Sequence, residues 1–340
     1  MLTNQKNIFV YDDFSDKRPL LMGTLFVNVI KGYESYSFEY DKEWLKKTEL
    51  ALILDPELRP YSGRQYPIGK NIFGLFADAS PDRWGRVLMN KRERILAEKE
   101  GRKPSKLHDS DYLMGVYDET RMGGIRFKLD TAGSFLSDDK DTAAPPWTTL
   151  RTLEEASRNY ENDETGLSEK WLNQLIKPGS SLGGARPKAT VLDTQKELWI
   201  AKFPSKNDEN DTGAWEMVVH DLALQCGLNV PNAKLEKFSS LGSTFLIKRF
   251  DRQGDKRIHF ASAMTLLGKT DGASAADGSS YLDIASFIKS YGAQPKKDLI
   301  ELWKRIVFNM TISNTDDHLR NHAFIFTKKG WILSPLYDVN

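Results

Sequence analysis

Polar residues late in the chain have the types and the order of a phosphoryl-transfer site. Asp316 and Asn321 lie five positions apart, which is also the spacing of the catalytic Asp and the metal-binding Asn in loops that transfer phosphate from ATP. Two short apolar runs, 322–326 and 331–333, are separated by a turn sequence and predict a hairpin. Asp338 stands at its far end. These three side chains can together orient a hydroxyl group and bind a magnesium ion.

The same loop allows two other interpretations. Asp316 could end the preceding helix through a turn, although the adjacent Asp317 could do so equally well. His318 and His322 lie four positions apart and could bind zinc from one helix face, as in a metal hydrolase. The sequence shows neither the glutamate of zinc-protease motifs nor an obvious third ligand beside them. We therefore expect both histidines to support the loop by packing and hydrogen bonding.

A glycine-rich stretch upstream is the second chemical signal. Within residues 178–188, Gly183 and Gly184 would let backbone N–H groups approach phosphate oxygens. The Walker A pattern is absent, and an ordinary hairpin turn fits the same residues. Lys202 follows inside the apolar strand pattern LWIAKF, where a charge requires a partner or a bound anion, and Glu216 is a candidate partner. The alternative is a solvent-facing lysine and a glutamate that favours a helix N-terminus.

Length and composition limit the class of protein. The chain has 340 residues, enough for two domains. Its 48 basic and 47 acidic residues leave a net charge of +1, so no overall field favours nucleic acid or membrane. The single cysteine, Cys226, excludes an internal disulfide, and its apolar neighbours predict a buried side chain. No stretch approaches the roughly 20 apolar residues of a membrane span and no targeting segment is evident, so we predict a cytoplasmic protein.

Local patterns predict where several elements begin and end. Leu20–Ile30 has the residues of a strand. A long helix follows, for which Ser80 is the predicted N-cap and Pro81 the first residue. Helical patterns also cover Leu150–Asn162 and Tyr281–Tyr291.

The order of these elements predicts an α+β fold. A β-rich N-terminal subdomain would pack on a bilobal, protein-kinase-like domain whose helical C-lobe is incomplete. The predicted boundaries are 1–130 for the N-terminal subdomain, 131–174 for a linker with connecting helices, 175–255 for the strand-rich lobe with the glycine-rich loop, and 256–340 for the helical lobe with the catalytic loop.

Segments along nearly the whole chain resemble the HipA family, the kinase toxins of bacterial HipBA-type toxin–antitoxin modules. They include FGLFADASPDRWGR, YLMGVYDETRMGGIRF, SSLGGARPKA, LWIAKFPS, FLIKRFDR, NTDDHLRNHAF and LSPLYDVN. The resemblance implies an ATP- and Mg²⁺-dependent serine/threonine protein kinase. The implied roles are catalytic base for Asp316, metal binding for Asn321 and Asp338, phosphate contact for Lys202, and lining of the adenine pocket for Lys248 and Phe250.

The resemblance also implies regulation and partners. Ser181 matches the serine that such kinases phosphorylate in their own glycine-rich loop, and Ser180 is a second candidate. A new charge of nearly −2 there suits ejection of the loop. The typical substrate is an aminoacyl-tRNA synthetase, and the typical partner is a small helix-turn-helix antitoxin, HipB-like, through which DNA would be bound indirectly.

The family continues with further helices where this sequence stops, at Asn340. We therefore expect apolar surface to be exposed on the helical lobe. A second hypothesis follows from the short lobe: a catalytically inactive, truncated HipA-like protein that serves as a binding module within an antitoxin–DNA complex.

Overall fold

The structure, a computed structural model, describes residues 4–47, 53–138, 144–162, 175 and 186–339. The described residues form both helices and antiparallel sheets, and the fold is α+β as predicted. The described strands form antiparallel sheets. One four-stranded sheet lies within residues 4–128 and another within residues 188–248, and a two-stranded ribbon and a three-stranded sheet follow.

The N-terminal part is a sheet flanked by helices. Its strands are β1 (Asn4–Asp12), β2 (Leu20–Ile30), β3 (Tyr33–Tyr40) and β4 (Ile125–Lys128), and its helices are α1 (Lys42–Lys47), α2 (Gly74–Asp78), α3 (Arg83–Lys99) and α4 (Asp109–Gly115). The strand order is β3-β2-β1-β4. Strand β2 has the predicted bounds, and it buries Met22, Leu25 and Val27 in the core.

The start of α3 differs from the prediction. Asp82 is its N-cap, because the Asp82 side chain accepts a hydrogen bond from the Gly85 N–H at 2.8 Å. Ser80 instead donates to the Phe76 carbonyl at 2.9 Å, so its hydroxyl serves the end of α2. Pro81 therefore precedes the helix. Since Asp and Ser cap helices about equally well, local propensity could not separate them.

The second part is a smaller sheet with two helices. Helix α5 (Leu150–Asn162) leads to β5 (Lys188–Leu192), β6 (Leu198–Lys202), helix α6 (Thr212–Gln225), β7 (Ala233–Glu236) and β8 (Thr244–Lys248). The strand order is β5-β6-β8-β7, and every residue of β6 is buried. Helix α5 has its predicted bounds.

The third part carries the predicted hairpin that follows Asp316. After the short strands β9 (Arg252–Gln253) and β10 (Lys256–Arg257) come β11 (Phe260–Ser262), α7 (Ala263–Leu266), α8 (Tyr281–Tyr291), α9 (Pro295–Thr311), β12 (Ala323–Thr327) and β13 (Gly330–Leu333). The hairpin of β12 and β13 is present, and it adds to β11 in the order β11-β12-β13.

The N-terminal sheet and the third part share one apolar core. Ile8, Phe38 and Phe127 from the first sheet belong to the same buried cluster as Phe324 and Trp331 from the hairpin. The sheet of β5 to β8 has apolar clusters of its own. Within the described residues, the N-terminal part therefore shares its core with the third part and not with the sheet of β5 to β8. The predicted domain boundaries stay a prediction.

Buried arginines join the second part to the N-terminal part. Arg249 donates to Asp251 at 2.9 and 2.7 Å and to the Thr120 carbonyl at 2.6 Å. Arg252 donates to the carbonyls of Arg121 and Gly123. These two arginines are occupied by structural contacts.

Two surface features bear on the sequence-based expectations. Cys226 is exposed, which contradicts the predicted burial: it caps α6, and its neighbours Ala223 and Leu228 fill the core in its place. Helix α9 exposes an apolar row with helical spacing, made of Ile300, Trp303, Val307 and Met310. Among the described residues, no helix is long and apolar enough to cross a membrane.

Candidate active site

A buried ion cluster centred on Lys202 joins the two sides of a cleft. The Lys202 ammonium donates to Asp338 Oδ1 at 2.6 Å and to the Glu216 carboxylate. Lys202 ends β6, Glu216 lies in α6 with its side chain inward, and Asp338 follows β13. The structure thus brings Lys202 and Glu216 together and adds Asp338 to the pair.

The charges in this cluster depend on one another. Burial alone would lower the pKa of Lys202, but the carboxylates of Asp338 and Glu216 outweigh it and raise that pKa. Burial would raise the pKa of Asp338, yet Lys202 and Lys188 hold it below its usual value. Burial, reinforced by Asp338, raises the pKa of Glu216. A bound phosphate could therefore take the place of one of the two carboxylates that share the Lys202 ammonium.

Asp317 is the buried, hydrogen-bonded aspartate of the loop that precedes β12. Its side chain is 8% exposed and lies 2.7 Å from His322 Nε2. It also accepts hydrogen bonds from the Tyr281 hydroxyl and, at 2.6 Å, from Asn309 Nδ2. Burial raises the pKa of Asp317, but these partners outweigh burial and leave the pKa lowered. Asp317 therefore ties the loop to α8 and α9.

Asp316 has the opposite environment. Its side chain is 82% exposed, and the nearest basic group is His318 Nε2 at 3.8 Å. Asn321 donates a hydrogen bond from Nδ2 to the Asp316 carbonyl at 2.8 Å. This bond joins the two residues whose five-residue spacing the sequence analysis singled out. The Asp316 carboxylate is therefore presented outward by a braced loop.

Asn321 precedes β12 and Asp338 follows β13, so the two residues flank the open end of the hairpin in the sequence. Its strands stay paired there, since the Ser334 N–H donates to the Ala323 carbonyl at 2.9 Å. The backbone of Asp338 has a φ of 56°, in the left-handed region that residues other than glycine rarely adopt. Such backbone costs about 1 kcal/mol or more and is concentrated at functional sites.

The histidines do not form a zinc pair. His322 is buried against Asp317, whereas His318 is half-exposed beside Asp316. Within the parts of the chain that the structure describes, no three His, Cys, Asp or Glu side chains cluster as a transition-metal site would require. His322 therefore braces the loop through Asp317, whereas the side chain of His318 only approaches Asp316, at 3.8 Å.

An apolar cleft leads to the ion cluster. The empty space between its walls is about 380 Å³, a volume that includes solvent at its open side. Its walls are Met122, Ile200, Pro231, Ile247, Lys248, Arg249, Phe250 and Tyr337, with Lys202 and Asp338 at one end. The predicted lining residues Lys248 and Phe250 are both present. Sequence reasoning missed Met122, which comes from the N-terminal part.

Four predicted site residues cannot be placed. Gly183, Gly184, Ser180 and Ser181 lie outside the described residues. The strand that follows them, β5, is described. Its first residue, Lys188, forms a buried ion pair with Asp82 of α3 that the sequence gave no reason to expect.

Comparison with known proteins defines the class. Residues 20–103 match the HipA N-terminal domain and residues 180–340 match the HipA-like C-terminal domain. Among solved structures, Shewanella oneidensis HipA, from a complex with HipB and operator DNA, superposes with a TM-score of 0.65 at 20% identity, covering 98% of this chain and 75% of that one. The architecture is therefore the HipA fold.

Sequence relatives agree with the fold. The serine/threonine-protein kinase toxin HipA of Shewanella oneidensis is 27% identical over 263 residues, 67% of this chain and 59% of that protein. A Sinorhizobium fredii protein provisionally named the kinase Y4mE is 31% identical over 149 residues, 41% of this chain and 33% of that protein. Because both HipA domains occur in order and together take in most of the sequence, this chain belongs to the HipA family. It spans between 33% and 59% of the length of these two relatives.

Proposed function

We propose that the chain is an ATP- and Mg²⁺-dependent serine/threonine protein kinase of the HipA type. One observation carries the proposal: Lys202 bridges Glu216 and Asp338, and both Lys202 and Asp338 line an apolar cleft. A lysine and a helix glutamate in this relation are the part of a kinase site that holds nucleotide phosphates.

The residues of the cleft fit both ligands. Ile200, Ile247 and Phe250 offer an apolar slot for a flat base, and Lys202 lies where attached phosphates would follow. The oxygens of Asn321 and Asp338, at one end of the hairpin, are hard ligands of the kind that Mg²⁺ prefers. Bound Mg²⁺ would supply neutralisation of the charge that develops on the transferred phosphoryl group.

Asp316 would act on the acceptor. Its exposed carboxylate can accept the proton of a serine or threonine hydroxyl and hold the oxygen in line for attack. Asp317 would serve only to hold the loop. The division of labour between two adjacent aspartates follows from their exposures of 82% and 8%.

Two substitutions separate these roles. Asp316→Ala should abolish phosphoryl transfer and leave the ATP dissociation constant within a few-fold of wild type, since the side chain contacts no part of the cleft wall. Asp338→Asn should instead weaken ATP binding in the presence of Mg²⁺ much more than in its absence. Calorimetry with and without Mg²⁺ measures binding, and transfer of labelled γ-phosphate measures catalysis. Retained transfer in Asp316→Ala would refute the assignment of the base.

The family membership supports a choice of partners. The solved relative is a complex of HipA with HipB and operator DNA. We accordingly propose a small HipB-like helix-turn-helix antitoxin as partner, indirect DNA binding through it, an aminoacyl-tRNA synthetase as substrate, and autophosphorylation at Ser181 or Ser180. The competing function is a binding module without catalysis, which co-purification with an antitoxin in the absence of any phosphoryl transfer would favour.

A further inference from the structure

Residues 334–338, between β13 and the end of the described chain, have an irregular main chain that other elements hold in place. Asp338, at the end of this segment, has a φ of 56°. Such a conformation persists in a residue other than glycine only where the surrounding structure fixes it. The Asp338 carboxylate is also the proposed metal ligand, and it shares Lys202 with Glu216. The contacts that fix the segment therefore bear on the proposed metal site.

Arg305 of α9 holds the first residue of this segment. Its side chain is 0% exposed, and Nη2 donates a hydrogen bond to the Ser334 carbonyl at 2.6 Å. The same guanidinium donates from Nε and Nη2 to Glu301 Oε1, one helical turn earlier, at 3.0 and 2.9 Å. Because the Glu301 carboxylate balances the buried charge and fixes its orientation, the guanidinium is directed at a main-chain carbonyl of the segment.

Glu301 also holds the chain that leaves α6. Its Oε1 accepts the Asn229 N–H at 3.1 Å, and the Asn229 carbonyl accepts the Leu336 N–H at 2.7 Å. The hydrogen bonds form a closed path, from Glu301 through Arg305 to Ser334, and from Leu336 through Asn229 back to Glu301. Two points of the segment are therefore tied to one carboxylate of α9.

Apolar packing reinforces this path. Leu336 lies in one buried cluster with Ala223 of α6 and Phe308 of α9. Helix α6 carries Glu216, and the segment of Leu336 carries Asp338. The two carboxylates of the ion cluster are therefore held in relation to each other through one helix, α9.

We propose that Arg305, oriented by Glu301, is a positioning residue for the proposed metal ligand Asp338. This inference rests on the proposed function. Arg305 contacts the main chain four positions before Asp338, so it acts on metal binding only by fixing the segment. Without this contact the segment takes more conformations, and a smaller fraction of molecules has Asp338 placed for metal binding. The apparent affinity for the metal falls by the same fraction.

Arg305→Met tests the inference through the dependence of ATP binding on Mg²⁺. We expect the Mg²⁺ concentration that half-maximally tightens ATP binding to rise by about tenfold, the effect of one charge-assisted hydrogen bond. The ATP dissociation constant without Mg²⁺ should stay within about twofold of wild type. Adding Arg305→Met to Asp338→Asn should change the Mg²⁺ dependence no further, since Arg305 acts through Asp338.

The matched control is Lys304→Met, which removes the neighbouring cation of the same helix. Among the described residues, the hydrogen bond of the Lys304 ammonium goes to the Gly227 carbonyl, at 3.5 Å, and not to residues 334–338. Lys304 thus reaches the same loop after α6 without holding the segment. Its replacement should leave the Mg²⁺ dependence of ATP binding unchanged.

Hydrogen–deuterium exchange of the apo protein gives a readout that needs no ligand. The Asn229 carbonyl protects the Leu336 N–H, so the peptide that contains Leu336 should exchange about tenfold faster in Arg305→Met than in wild type. Peptides of the N-terminal sheet should exchange at the wild-type rate. Glu301→Ala changes a side chain that is 15% exposed; it should act in the same direction, and it provides the test if Arg305→Met does not fold.

Several results would overturn the inference. They are an unchanged Mg²⁺ dependence in Arg305→Met, an equal loss of ATP affinity with and without Mg²⁺, which a purely structural role predicts, or a further loss when Arg305→Met is added to Asp338→Asn. If Mg²⁺ does not tighten ATP binding to wild type, the proposed function fails and this inference with it. If it does, and Arg305→Met and Glu301→Ala match wild type, only the inference fails.

Discussion

Replacing Lys202 with methionine should destabilise the protein in a pH-dependent way. The substitution removes the ammonium that lies 2.6 Å from Asp338 and also binds Glu216, and it leaves two buried carboxylates without their shared cation. Removing one member of a buried ion pair costs about 3–5 kcal/mol because an uncompensated charge stays behind. At about 2.1 cal/mol/K of unfolding entropy per residue, that loss in a chain of 340 residues corresponds to a fall in Tm of roughly 4–7 °C.

The sign of the pH dependence follows from the carboxyl pair. Burial and the Asp338 carboxylate already raise the pKa of Glu216 while Lys202 is present, and the loss of Lys202 raises it further above the unfolded value of about 4.3. A carboxyl group whose pKa is higher in the folded than in the unfolded state destabilises the fold at neutral pH, where it is ionised. This loss of stability becomes smaller as pH falls and the group binds a proton. Part of the deficit therefore returns as pH falls from neutrality through the raised pKa of Glu216.

Urea denaturation of Lys202→Met and wild type at several pH values measures this deficit. The matched control is Lys46→Met, which breaks a lysine–glutamate pair whose side chains are both 71% exposed. The control should lose far less stability than Lys202→Met. A deficit for Lys202→Met below about 1 kcal/mol at neutral pH, or one that grows as pH falls, would refute the reasoning.

Two further substitutions test the braces around the site. Asp317→Ala should cost about 2–4 kcal/mol because Tyr281, Asn309 and His322 lose their acceptor. Asp316→Ala should leave the urea midpoint nearly unchanged, and equal losses would mean that both aspartates are structural. Asp251→Asn should cost about 3–5 kcal/mol at neutral pH, since Arg249 and Arg252 lose their buried counter-charge. Although burial raises the pKa of Asp251, the two arginines lower it overall, so the wild-type advantage should narrow only below about pH 4. A constant advantage down to lower pH would contradict this.

The local sequence pattern was sufficient to predict the bounds of several helices and strands. Strand β2 and helices α5 and α8 have their predicted bounds because each is delimited by residues that act locally: a change of apolar period, a turn, or a capping residue. The α+β class and the hairpin between Asn321 and Asp338 follow from the same kind of signal.

The contacts that complete the site depend on distant parts of the chain. Lys188 meets Asp82, Arg249 meets the Thr120 carbonyl, and Met122 lines the cleft. Each contact joins residues more than 70 positions apart, and periodicity within a window carries no information about such pairs. The misplaced cap of α3 has the same origin, because Ser80 and Asp82 are equivalent by propensity and only the rest of the fold distinguishes them.

The most direct test of the proposed kinase activity is intact-mass spectrometry with peptide mapping after incubation with Mg²⁺ and ATP. The account predicts the added mass of one phosphate on Ser180 or Ser181 in wild type, and no addition in Asp316→Ala under the same conditions. An unmodified and folded wild-type protein whose mass does not change, or an Asp316→Ala variant that gains the same phosphate, would contradict it.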